Sequence, residues 1–117
     1  MDLQNYDVLA EAVDDSDNLL TIQMDILRDI HGAGRLGKHV RENISDELRS
    51  NGLGHYPEEL PSSQYNSVRI YRLGSPAGRL IEAVTEPGAD NDETIRTAIN
   101  KDAQQAIDRV QELVCDL

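Results

Sequence analysis

Tryptophan and phenylalanine are absent from this chain, cysteine occurs once, at Cys115, and the only lysines are Lys38 and Lys101. A single thiol cannot close an intrachain disulfide or supply a cysteine-based metal site. No apolar run approaches the roughly 20 residues that a membrane-spanning helix needs. The first residues, MDLQNYDVLAEAVDD, are acidic where a secretion signal would be basic and then apolar. A cytoplasmic location with no membrane partner is therefore expected. Four prolines and 38% hydrophobic residues suit a folded globular protein, and 117 residues allow one core of modest size.

Positive charge is scarce too. The formal net charge is −11, which by itself argues against nucleic acid as a partner, because phosphates repel an acidic surface at long range. The distribution changes that argument. Residues 1–27 carry seven acids and no base, residues 28–79 eight bases against six acids, and residues 80–117 nine acids against three bases. Nine arginines against two lysines, and thirteen Asp against nine Glu, resemble the composition of salt-adapted proteins. Two explanations of the acidity stay open: solubility at high salt, or a basic partner.

Along the chain, Leu3, Tyr6, Leu9, Ala12 and Val13 recur at helical spacing and predict an acidic first helix within residues 1–17. After the polar break DDSDN, Leu19, Leu20, Ile22, Ile26, Leu27 and Ile30 predict a second helix running to about His31. Val40, Ile44 and Leu48 lie on one side of a third helix, which Asn51-Gly52-Leu53 ends with glycine in a left-handed position and an apolar cover. Pro57 to Ser67 is expected to be a surface loop. SVRIYRL, the turn GSPAG and RLIEAV (residues 79–84) then read as a β-hairpin. Asp90 with Glu93 makes a capping-box start for a long last helix over residues 90–117. On that helix Ile99, Ala103, Ala106, Val110, Leu113 and Leu117 form a heptad seam, which packs either on its own domain or on a second copy as a homodimer.

The stretch HGAGRLGKH overlays two phosphate-binding patterns, G-x-G-x-x-G over residues 32–37 and G-x-x-x-x-G-K over residues 32–38. Neither is expected to hold a nucleotide. His39 stands where a Walker loop places a Ser or Thr hydroxyl on Mg²⁺, and imidazole is a poor ligand for that hard cation. The preceding MDILRDI has charges at helical spacing where both patterns need a buried strand. A turn joining two helices at a steep angle accounts for Gly32 and Gly34 without a ligand.

The order that remains is helix, glycine turn, helix, Gly-Leu, hairpin. LGKHVRENISDELRSNGLGHYP followed by SVRIYRLGSPAGRLIEAV resembles the third helix and wing of winged helix-turn-helix domains, over about residues 18–86. The resemblance implies a mainly α fold with a small β-hairpin, a winged-helix-like core plus a long C-terminal helix, and a third helix that enters the DNA major groove. Lys38, Arg41, Ser45 and Arg49 would then face phosphates or base edges. Arg35 in the turn would meet a phosphate beside the helix N-terminus, and Arg69, Arg72 and Arg79 would be wing contacts.

Each of these cations also has a plain surface role, because Glu42 and Asp46 share the exposed face of the third helix and hairpin arginines protect sheet edges. His31 and His39 lack a third metal ligand at a recognised spacing, and no nucleophile and base stand in a catalytic pattern. No metal, no cofactor and no enzymatic activity are expected. Two functions stay open: a DNA-binding or DNA-associated regulatory module acting on double-stranded DNA, and an acidic protein–protein interaction module or inhibitor, such as a viral anti-defence protein or nucleic-acid mimic.

Overall fold

A computed structural model describes residues 3–100. They belong to two compact units, Met1–Arg79 and Leu80–Leu117. Mostly helical, the described chain carries one small three-stranded antiparallel sheet. No helix among the described residues is long and apolar enough to cross a membrane.

Helix α1, Tyr6–Asp15, starts where the Asn5 side chain accepts a hydrogen bond from the Val8 amide at 2.8 Å, and it buries Leu9 and Val13. Its end differs from the sequence expectation. Asp17 and Asn18 adopt left-handed backbone angles (φ 58° and 68°), which Asp and Asn tolerate better than most residues, and turn the chain straight into a strand. That strand, β1, is Leu19–Gln23, so the first turns of the expected second helix are corrected to extended chain. The same apolar residues fit both periods. Ile22 is buried, Leu20 is half-buried, and Leu19, Thr21 and Gln23 are exposed, which is alternation with a period of two. Pairing decides between the two, with Leu20 opposite Ile70 and Ile22 opposite Val68 in the antiparallel ladder.

Helix α2, Met24–His31, follows without a gap and without a side-chain cap. Its first amides are satisfied across the fold instead, Met24 N donating to Asn66 O at 2.9 Å and Asp25 N to Gln64 O at 3.1 Å. Gly32 ends it at φ 74°, the left-handed stop that glycine adopts at least cost. Gly34 is corrected, since Gly32, Gly52 and Gly74 are the glycines with positive φ among the described residues. Helix α3, Lys38–Ser50, buries Ile44 and Leu48 and ends at Asn51 and Gly52 (φ 75°), as its sequence predicts.

The hairpin is built from other strands than expected. β2 is Leu53–Tyr56 and β3 is Ser67–Arg72, with β3 central in the order β1-β3-β2. RLIEAV is not a strand; it lies in helix α4, Pro76–Thr85. Ser75 starts that helix, donating its hydroxyl to Arg72 O at 2.7 Å and accepting from the Gly78 amide at 3.0 Å, while Pro76 occupies the first helical position, where its missing N–H costs nothing. The stretch read as a turn, GSPAG, is therefore a helix cap. Ser75→Ala is expected to lower the unfolding free energy by about 1 kcal/mol, checked by urea denaturation.

Leu9, Val13, Ile22, Met24, Leu27, Leu36, Ile44, Leu48, Leu53, Leu60, Val68 and Ile70 form one core. Leu60 corrects the reading of residues 57–67 as plain surface, because it is 2% exposed.

In the second unit, residues 89–100 are helical and form α5, with the Gly88 carbonyl accepting from the Asp92 amide at 2.8 Å. Asp90 thus sits in the first turn and not at the cap. Of the heptad seam only Ile99 is described, and it is 60% exposed; Ala103, Ala106, Val110, Leu113 and Leu117 lie outside the described residues.

Candidate nucleic-acid interface

Two helices and a glycine turn set the geometry. α2 stops at Gly32, the turn buries Leu36, and α3 begins at Lys38 with Gly37 as its cap. Gly37 has no side chain with which to bond the first amides, and no acid stands in the first turn. The start of α3 therefore keeps its positive end open to an anion. Arg35 and Lys38 flank it, both exposed.

Along α3, Ile44 and Leu48 define the inner side. Lys38 and Arg49 are three helical turns apart and fall on one outer line, roughly 16 Å from end to end by helical rise. Glu42 stands between them, with Asn43 and Asp46 beside it, all exposed. The Glu42 carboxylate lies 3.8 Å from His39 Nδ1.

Arg41 and Ser45, expected on that outer line, are corrected. Both are half-buried on the flank facing the β2–β3 loop. Arg41 Nη1 donates to the Leu60 carbonyl at 2.9 Å, and Ser45 Oγ lies 2.8 Å from His55 Nε2. Arg41 fastens the loop to the helix, and Ser45 ties the helix to strand β2. Arg28 on α2 holds the other end of the same loop through Gln64.

Arg72 is corrected as well. Its guanidinium makes two 2.9 Å hydrogen bonds to the Asp14 carboxylate and a third, also at 2.9 Å, to the Asn51 carbonyl, joining α1, α3 and β3. Arg79 is exposed but stands on α4, not on the hairpin. Arg69 is placed as expected, exposed on β3 opposite Thr21 on one side and Tyr56 on the other. The loop that would be the wing tip carries Glu58 and Glu59 and no base.

Between α3 and this loop lies an open groove of about 340 Å³ whose rim includes Lys38, Glu42, Glu58 and Glu59. Its carboxylates outnumber its free cations, so it does not attract phosphate. Among the described residues no group of His, Cys, Asp and Glu is arranged to hold a metal ion. His31 is hydrogen-bonded through Nδ1 to the Tyr6 hydroxyl at 2.8 Å, and burial, helped by nearby Glu47, raises the phenol to about 12.

Nothing local in the sequence distinguishes Arg41 and Arg72 from Arg35 and Arg49. The helical wheel places Arg41 on the border between the inner and outer sides, and a partner 19 residues away decides its direction. No protein-family model, curated protein or solved structure matches the chain.

Proposed function

We propose that the chain is a non-enzymatic DNA-binding module of the winged helix-turn-helix kind, with α3 as the helix presented to the duplex. One observation carries this reading: α3 follows α2 across a short glycine turn, its outer line is exposed, and its uncapped positive end lies between Arg35 and Lys38. The element order α1-β1-α2-α3-β2-β3 supports it, because a strand between the first two helices and a paired hairpin after the third is the arrangement of that superfamily.

A phosphate docks at the start of α3, Lys38 and Arg49 follow the backbone along the helix, Asn43 and His39 reach base edges, and Arg69 meets the strand beside the sheet. Ser45, Arg41 and Arg72 position the scaffold and touch no DNA. With Glu42 and Asp46 interleaved among the cations, binding is weak unless a partner or a second copy contributes. Dimerisation through the C-terminal helix belongs to the same proposal, and light scattering on the full chain with and without Val110→Asp tests it.

The experiment is duplex binding by fluorescence anisotropy across a salt series. Four free cations predict a log–log salt slope between about −3 and −4, and Lys38→Gln or Arg49→Gln each reduce its magnitude by about 0.9. Arg41→Gln leaves the slope unchanged. Absence of binding both at about 50 mM salt and at high salt, where the repulsion among the acidic flanks is screened, overturns the reading. The second reading, an acidic protein-binding module, draws on Glu58 and Glu59 at the loop and on Arg41 and Arg72 being engaged internally. It predicts no duplex binding and retention of a basic protein surface instead.

A further inference from the structure

β1 and β2 are the two edges of the sheet, and β1 is the one left open. The Arg72 amide donates to Asn18 O at 3.1 Å and the Met24 amide to Asn66 O at 2.9 Å, so the even-numbered positions of β1 carry the ladder to β3. The backbone groups of Leu19, Thr21 and Gln23 therefore point away from β3. The Leu19 amide turns back to Ser16 O at 3.3 Å, which leaves the Leu19 carbonyl, both groups of Thr21 and the Gln23 amide without a partner among the described residues. β2, the opposite edge, lies against α3 and runs into Pro57.

Edge strands ordinarily carry a charge, a proline or a bulge that discourages pairing. LLTIQ holds no charge and no proline, and its register with β3 runs unbroken from Leu19 to Gln23. Leu19, Thr21 and Gln23 are exposed. Such an edge can template another extended chain.

We propose that the β1 edge takes up an extended basic peptide of a partner protein, which adds a fourth strand beside β1. Charge selects this occupant. Exposed Asp15 and Asp17 precede the strand, Asp25 follows it, exposed Asp7 and Glu11 stand on α1, and residues 1–27 contain no base. Asp14 alone of the acids on α1 is neutralised, by Arg72. The other arginine of β3, Arg69, stands one strand further in, about 10 Å from the added strand by two strand spacings. A second copy of the chain is disfavoured by the same charges, because two β1 strands paired antiparallel about Thr21 would set Asp17 against Asp25 at both ends. The segment that fits has uncharged β-branched residues opposite LLTIQ and a lysine or arginine at each end. Since β1 and β2 are opposite edges and α3 lies on β2, the inference does not depend on what α3 binds.

The probe is an end-blocked synthetic peptide of alternating threonine and valine with arginines at both ends, added to the full chain and followed by amide NMR and hydrogen exchange. The Thr21 and Gln23 amides are expected to shift, and their exchange to slow, while the same peptide ending in glutamates leaves both unchanged. Methylating the peptide amides that face β1 lowers the affinity about tenfold, and this tests the new ladder without altering the protein. Thr21→Pro has the same effect, and its unfolding midpoint stays near the parent's because the Thr21 N–H takes no part in the β1–β3 ladder. Asp17→Asn and Asp25→Asn each weaken binding roughly two- to five-fold. Thr21 and Gln23 amides that stay unchanged at millimolar peptide overturn the proposal, as does equal binding of the methylated or the glutamate-ended peptide. Protection that rises with protein concentration alone assigns the edge to a second copy and overturns it too.

Discussion

Leu60→Ala is expected to lower the unfolding free energy by about 2–4 kcal/mol, a loss that a surface-loop leucine would not produce. The side chain is 2% exposed and belongs to the same core as Ile44, Leu48 and Leu53. Truncation removes its buried methyl groups and leaves a cavity whose walls are held by α3 and the sheet, so the site cannot collapse fully. Against a total stability of about 5–15 kcal/mol the change is large, and at about 4 °C per kcal/mol it lowers the midpoint of thermal unfolding by about 8–16 °C. Calorimetry checks it. Tyr65→Ala, in the same loop and 75% exposed, is the control and is expected to stay within about 0.5 kcal/mol of the parent. Equal, small effects from both would return residues 57–66 to the status of a passive connection.

Gly78→Ala carries the second large effect, and its sign is the informative part. Inside a helix, replacing glycine by alanine ordinarily stabilises by about 1 kcal/mol, since alanine has less backbone freedom to lose. Gly78 lies in α4, so its sequence position promises that gain. A Cβ there would stand 2.5 Å from the Arg72 carbonyl, 3.1 Å from the Tyr71 ring and 3.3 Å from Ser75 Oγ. The first contact is with backbone, which cannot rotate away. Arg72 is also held by Asp14 and Asn51, and Tyr71 is 8% exposed, so the strand end resists displacement. A net destabilisation of about 1–3 kcal/mol is expected, measured by denaturation. Gly34→Ala is the counterpart: its φ is not positive and nothing lies within 4 Å of the added methyl. That substitution is expected to be neutral or to stabilise by up to about 1 kcal/mol.

The glycine motif GAGRLGK is in this light a corner that delivers a helix start. Gly32 is required by its left-handed backbone. Gly37 leaves the first amides of α3 uncapped, where Asn5 and Ser75 bond those of α1 and α4. The chemistry that made the stretch resemble a phosphate cradle survives only as exposed amides between Arg35 and Lys38. The site around it was partly legible: Arg35, Lys38, Arg49 and Arg69 are exposed as expected, whereas Arg41, Ser45 and Arg72 are half-buried and hydrogen-bonded within the chain. A helical wheel sorts residues by angle about one axis and carries no information on what packs against each flank.

Short-range chemistry in the sequence by itself determined α3 with its apolar line and Gly52 stop, the Gly32 stop of α2, the core positions Leu9, Val13, Leu27 and Leu48, and the division between acidic flanks and a mildly basic middle. Each of these depends on neighbours within about one helical turn or on composition alone. Only the tertiary structure decided that Leu19–Gln23 is a strand, that β3 pairs with β1 and β2 and not with residues 79–84, that Leu60 is core, and which arginines are free. For β1 the apolar residues fit two periods, and the ladder with Val68 and Ile70 chooses between them. For Arg41 and Arg72 the choice lies with the Leu60 carbonyl, the Asp14 carboxylate and the Asn51 carbonyl. These partners are 19 to 58 residues away along the chain, and a polar group goes where its best partner is once the chain has folded.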